Sequence, residues 1–273
     1  MELHHVRAGR GEPLLLIHGL GGSWRSWRPI LPALAHGREL WLVDLPGHGA
    51  TPALPGRATF AALTDAVEAF VRGRGLEHVD ALGSSMGARM VLELARRDVV
   101  GRTWALDPGG FWEGWERAWF GATIGLSIRI LRAIEPGLRT ITKSALGRTL
   151  LFGQFSHHPW RLAPDLVYDE LDDYVATTGF DDLVDDLAHG PGQQGARRTR
   201  GAITLVWGRQ DRVSFPRQAY RAIERFPTAR LVWVDGCGHL PHWDAPRRTE
   251  RLILVPRAAR RVVRRAPALA HAP

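Results

Sequence analysis

Residues 83–87 read Gly-Ser-Ser-Met-Gly. A serine hydroxyl framed by two glycines attacks an acyl carbon when the chain lifts it out of a strand and turns at once into a helix. The flanks supply that context: an apolar run ends at Leu82, and Ala88 to Ala95 follows with helical spacing. So tight a turn strains the central residue, and a Cβ at Gly83 or Gly87 would collide with the neighbouring strand or helix. Ser85 is therefore the candidate nucleophile, set above the N-terminal amides of its helix, which favour developing negative charge.

A serine needs a base, and the base needs a carboxylate to fix its tautomer. Asp211 follows the strand signal ending at Trp207-Gly208, and His239 follows the one ending at Val234, within Gly236-Cys237-Gly238-His239. The chain order serine, acid, histidine, each in a loop after a strand, is the order this chemistry takes on a doubly wound sheet. Asp107 also closes a strand and stands as the reserve acid; its simpler reading is a turn residue before Pro108. His242 is expected to line the pocket or cap a helix. Asp44, His48 and His18 are read as structural, and Cys237 as a small core residue. The oxyanion needs two backbone donors. The amides of Met86 and of Leu20, in the glycine-rich His18-Gly19-Leu20-Gly21-Gly22 loop, are the expected pair. That loop has neither the lysine nor the spacing of a phosphate-binding fingerprint.

The elements that must hold these groups alternate. Strand signals at Leu14–Ile17, Leu40–Val43, Val79–Leu82, Trp104–Leu106, Ile203–Trp207 and Leu231–Val234 are separated by helical patterns. These patterns run from Trp24 to Ala35, with Ser23 as N-cap, from about Thr59 to Arg72, and from the elbow to about Arg97. The expectation is an α/β, doubly wound, mostly parallel sheet with its chemistry at the strands' C-terminal ends. The rhythm breaks from about Phe111 to Gly195, a helical stretch with Trp112, Trp115, Trp119 and Trp160. Residues 111–195 read as a helical cap inserted into a core made of 1–110 and 196–256. Residues 257–273 read as a basic, disordered tail.

At 273 residues the chain buries one large core without difficulty. The formal charge of +8 invites nucleic acid as a partner. The excess is concentrated in tail arginines from Arg257 to Arg265, an Ala/Pro-rich solvated run, and no specific nucleic-acid binding is expected. One cysteine excludes an internal disulfide and fits a reducing, cytoplasmic setting. No apolar stretch is long enough to span a bilayer, and no secretory signal is read at the start.

His18-Gly19-Leu20-Gly21-Gly22, Asp44-Leu45-Pro46-Gly47-His48-Gly49, Gly83-Ser84-Ser85-Met86-Gly87, Trp207-Gly208 with Asp211, and Gly238-His239 with Pro246 together resemble the α/β-hydrolase superfamily. The likeness is to its capped branch of esterases, carbon–carbon bond hydrolases and related enzymes. It spans about Leu3 to Val255 but not the cap. A serine at position 85 argues against the haloalkane dehalogenases, which carry aspartate there. The resemblance implies a serine hydrolase acting on a carboxylic ester or thioester, with neither metal nor organic cofactor. The alternatives are a carbon–carbon bond hydrolase with the same triad and a ligand-binding relative without turnover. The expected partner is a small molecule with an apolar acyl or aromatic group, met by Gly19, Trp24, Trp112 and Trp115. The chain is expected to act as a monomer or homodimer.

Overall fold

The computed structural model describes residues 2–254; the stretch read as a basic tail, 257–273, lies outside the described residues. Seven strands make one sheet: β1 (His5–Ala8), β2 (Glu12–Ile17), β3 (Arg38–Val43), β4 (Asp80–Ser84), β5 (Thr103–Leu106), β6 (Ile203–Gly208) and β7 (Arg230–Val234). They lie in the order β1-β3-β2-β4-β5-β6-β7. All pairings are parallel except β1 with β3. Strand β1 carried no sequence signal because its four residues, His-Val-Arg-Ala, form a half-exposed edge without an apolar run.

The inner strands read as unbroken apolar runs because both faces are covered. Leu14 and Leu16 join one buried cluster with Leu82, Trp104 and Val206. Leu15 and Ile17 point the other way, into a cluster with Ala81, Ala105 and Trp207. The helices begin with α1 (Leu31–Ala35), α2 (Phe60–Gly73) and α3 (Met86–Arg96). The helix expected from Trp24 to Ala35 is in fact a 3-10 turn at Trp24–Trp27 followed by the short α1. Pro29 and Pro32, which lack an amide hydrogen, break the ladder between them. Ser23 does cap the turn, accepting from the Arg25 amide at 3.2 Å.

Between β5 and β6 the described residues hold no strand. Five helices fill the interval: α4 (Trp115–Ile134), α5 (Leu138–Lys143), α6 (Ala145–Phe152), α7 (Pro164–Ala176) and α8 (Phe180–His189). After β6 come α9 (Gln218–Arg225), α10 (Pro241–Asp244) and α11 (Pro246–Leu254). Among the described residues no helix is long and apolar enough to cross a membrane.

The strand order reverses between β2 and β4, so the loops after them diverge and leave a crevice at their C-terminal ends. Ile17 pairs with Gly83 and Ser84 with Leu106, which brings the ends of β2, β4 and β5 level. The glycine loop, residue 85 and Asp107 therefore emerge side by side.

Candidate active site

Ser85 sits at φ 55° and ψ −115°, between the end of β4 and the first turn of α3. Two glycines permit this strained corner. A Cβ on Gly83 would lie 2.2 Å from the Gly87 carbonyl oxygen, and one on Gly87 would lie 2.1 Å from that of Ile17. Helix α3 is buried from Met86 to Ala95, so the corner cannot relax outward.

His239 Nε2 lies 2.8 Å from Ser85 Oγ, and its Nδ1 lies 2.8 Å from Asp211 Oδ2. Asp211 is fixed in turn: its Oδ1 accepts the Val213 amide at 2.7 Å and the Ser214 amide at 3.0 Å. The histidine loop is held by the helical segment between β5 and β6. The Phe155 carbonyl accepts the His239 amide at 2.8 Å. Asp244 Oδ2 accepts the amides of Gly238 and His157, each at 2.8 Å. Sequence reading did not single out Asp244, because its partners lie far away along the chain or on backbone.

Asp107 is fully buried beside this chain, and its Oδ1 accepts the Gly208 amide at 2.8 Å. Burial, with the Asp211 charge next to it, holds its carboxyl well above the usual range. Among the described residues, Asp107, Asp211 and His239 are the one cluster of possible metal ligands. The histidine and Asp211 already use the facing atoms on each other.

His18 donates Nδ1–H to the Gly19 carbonyl at 2.7 Å, and its Nε2 accepts the Leu45 amide at 3.0 Å. Asp44 accepts the Trp24 and Ala50 amides at 2.7 and 3.0 Å. Burial keeps His48 neutral, at about 3. These residues tie two loops together and leave Ser85 to others. Cys237 is buried, and burial raises its thiol, so it carries no thiolate.

Two chambers meet over Ser85. One is apolar, walled by Leu20, Trp112, Phe120, Ile124, Leu187 and Val213, with Met86 and Arg89 along its floor. The other includes Gly19, Leu20, Ser26, Glu170, Tyr174 and His242. A Cβ on Gly19 would come within 3.2 Å of Ser85 Cβ, so the bare backbone there leaves room beside the hydroxyl.

Of the expected aromatic contacts, the structure brings only Trp112 into this lining. Trp112 is buried and packs on Phe120 with ring centres 4.7 Å apart. Trp115 lines neither chamber: it is 58% exposed and packs on Phe215, beneath the Arg217 guanidinium. Trp112 lies in the loop before α4, whose first residue is Trp115, so helical spacing does not tie the two rings to one face. Trp24 is also misplaced by the expectation, because Asp44 holds its amide and turns it toward a separate cleft with Gly49 and Asp172.

Three inward polar residues went unread. Arg89, on the buried helix, has Nε and Nη1 without partners, and its guanidinium lies 3.9 Å from the Phe60 ring centre. Glu170 and Tyr174 stand one helical turn apart on α7, a spacing that shares a face, yet nothing in sequence said which face looked inward.

The alpha/beta hydrolase family model matches residues 14–252. The chain belongs to the alpha/beta hydrolase family. This hydrolase is 27% identical over 270 residues to the 2-hydroxy-6-oxononadienedioate/2-hydroxy-6-oxononatrienedioate hydrolase 2 of Pseudomonas putida, over 93% of this chain and 91% of that one. Its fold is similar to that of a thermophilic esterase from Thermogutta terrifontis, with TM-score 0.73, 20% identity, and 92% and 91% of the two chains covered. It is likewise similar to the enol-lactonase from Burkholderia xenovorans, with TM-score 0.71, 19% identity, and 92% and 94% covered.

Proposed function

We propose that this hydrolase cleaves a carboxylic ester or thioester through an acyl-enzyme on Ser85. The observation that carries the reading is the continuous hydrogen-bonded chain from Ser85 through His239 to Asp211, at 2.8 Å in both steps. His239 takes the Ser85 proton as the hydroxyl adds to the carbonyl carbon, and Asp211 steadies the imidazolium. The amides of Met86 and Leu20, on either side of Ser85, hold the oxyanion. The imidazolium protonates the leaving alcohol or thiol. A water deprotonated by His239 then attacks the acyl carbon and frees the acid. Residues 111–195 act as a cap that excludes bulk water and walls the apolar chamber.

The name of the Pseudomonas putida relative supports a second reading, carbon–carbon bond hydrolysis with the same triad. Incubation with a panel of simple esters, thioesters and a vinylogous 1,5-diketone, followed by product analysis, separates the two. Ester hydrolysis to acid and alcohol is the expected result; turnover confined to the diketone overturns it.

The apolar chamber gives a prediction for chain length. Trp112→Ala removes a buried wall residue, so it should lower stability by about 3–5 kcal/mol and shift preference toward longer or bulkier acyl groups. Trp115→Ala, at an exposed ring, should cost under about 1 kcal/mol and leave the preference alone. Melting temperature and kcat/KM over an ester series read both, and an unchanged chain-length profile in Trp112→Ala would remove Trp112 from the substrate wall.

A further inference from the structure

The second chamber is built differently from the first. Ser26, Glu170, Tyr174 and His242 line it together with Ser85 and His239. Glu170 is buried, and its Oε2 accepts the Ser26 hydroxyl at 2.7 Å. Its Oε1 accepts no hydrogen bond among the described residues, and the Tyr174 hydroxyl has no partner there either. His242 is 1% exposed, and both of its ring nitrogens are unpartnered. The buried His242 nitrogens lack partners, and a group held in the cavity beside Glu170 and Tyr174 would satisfy them.

Burial of Glu170 outweighs the attraction of Arg28 and Arg25, which favours its ionised form, and each arginine is committed to another carboxylate. Arg25 is held by Asp173, and Arg28 by Asp169 at 2.8 Å. Asp173 on the same helix repels it, Tyr174 is kept protonated by burial and by Glu170 itself, and burial holds His242 uncharged. Across the chamber stand His239 and the apolar Phe152, Phe155 and Leu240.

We propose that Glu170, Tyr174 and His242 form a polar subsite beside Ser85 that holds a hydrogen-bond-donating group of the substrate, a hydroxyl or an ammonium, and turns away a carboxylate. The inference deepens the ester-hydrolase reading and rests on it. An open carboxyl oxygen accepts a donor, whereas a substrate carboxylate would meet like charge from Glu170 and Asp173, with Arg25 and Arg28 ion-paired to Asp173 and Asp169. Burial lifts the Glu170 carboxyl to about 7, so its ionised form grows as pH rises from 6 to 8. An ammonium should then bind better at pH 8 and a carboxylate worse, while a hydroxyl is held at both. If Glu170 only tied α7 to the Ser26 loop, no such ordering among substrates would follow.

The test uses esters of one chain length ending in methyl, hydroxymethyl, aminomethyl or carboxylate, with the end group on the acyl side in one set and on the alcohol side in the other. Their affinity for the Ser85→Ala protein is measured by calorimetry at pH 6 and pH 8. This reads the subsite whether or not Ser85 is the nucleophile; ester turnover by that same variant would count against the hydrolase mechanism instead. In one of the two sets, hydroxymethyl and aminomethyl esters should bind about tenfold tighter than methyl at pH 8, and the carboxylate about tenfold weaker. Glu170→Gln in the same background should erase the ammonium preference and the carboxylate penalty. The comparison between the two pH values in the Ser85→Ala protein needs no second variant to fold. Equal affinities in both sets, or a carboxylate that binds tightest at pH 8, would overturn the proposal.

Discussion

Replacing Ser85 by alanine should lower kcat by roughly 10^4 to 10^6 and abolish labelling by a fluorophosphonate, with little change in melting temperature. The size follows from the unit the residues form. His239 has no proton to accept without the hydroxyl, and Asp211 then has no imidazolium to steady. Only the oxyanion donors and the pocket remain to assist attack by water. The fold should survive because Ser85 spends its strain on presenting the hydroxyl: at φ 55° the side chain has no part in capping α3. Ser84 is the control. Its Oγ is buried without a partner at the end of β4, and Ser84→Ala should keep labelling and turnover. A probe found on Ser84 with Ser85 unmodified would move the nucleophile and overturn the assignment.

What the sequence disclosed is what backbone geometry restricts to few residue types. Gly83 and Gly87 face backbone atoms at distances no Cβ tolerates, so their spacing around Ser85 was readable without a structure. The buried strands were readable for a similar reason, because a strand covered on both faces admits only apolar side chains. Strand β1 escaped notice because an edge four residues long is held by its pairing with β3 and needs no pattern of its own. The tryptophans mark a further limit. Aromatic content announced a wall, but Trp112 faces the chamber and Trp115 faces Phe215, a choice set by how α4 leaves its loop. Glu170, Tyr174 and Asp244 were hidden because their roles depend on contacts with residues far off in sequence. A surface-like acidic run, Asp169-Glu170-Leu171-Asp172-Asp173, conceals two buried carboxyls, Glu170 on the Ser26 hydroxyl and Asp173 on that of Ser23.

Asp211→Asn should lower kcat by about 10^4, whereas Asp107→Asn should stay within about tenfold of wild type. The two carboxyls are neighbours, so the contrast tests which of them serves the histidine. At position 211 the amides of Val213 and Ser214 both point at Oδ1 and demand an acceptor there. An asparagine must therefore keep its carbonyl oxygen on those amides and turn its NH2 toward His239 Nδ1. The imidazole then has to accept at Nδ1 and carry its proton on Nε2, facing Ser85 Oγ, where it has no lone pair to receive the hydroxyl proton. Position 107 is different. Burial pushes its carboxyl toward the neutral form, with Oδ1 on the Gly208 amide, and an asparagine reproduces that acceptor and offers a donor. Asp107→Ala strands the buried Gly208 amide, and should cost about 1–3 kcal/mol of stability while leaving the His239 tautomer intact. Steady-state kinetics with melting curves on the three variants read the outcome. If Asp107→Asn proves the more damaged in kcat while Asp211→Asn stays active, the acid partner of His239 is the one that follows β5.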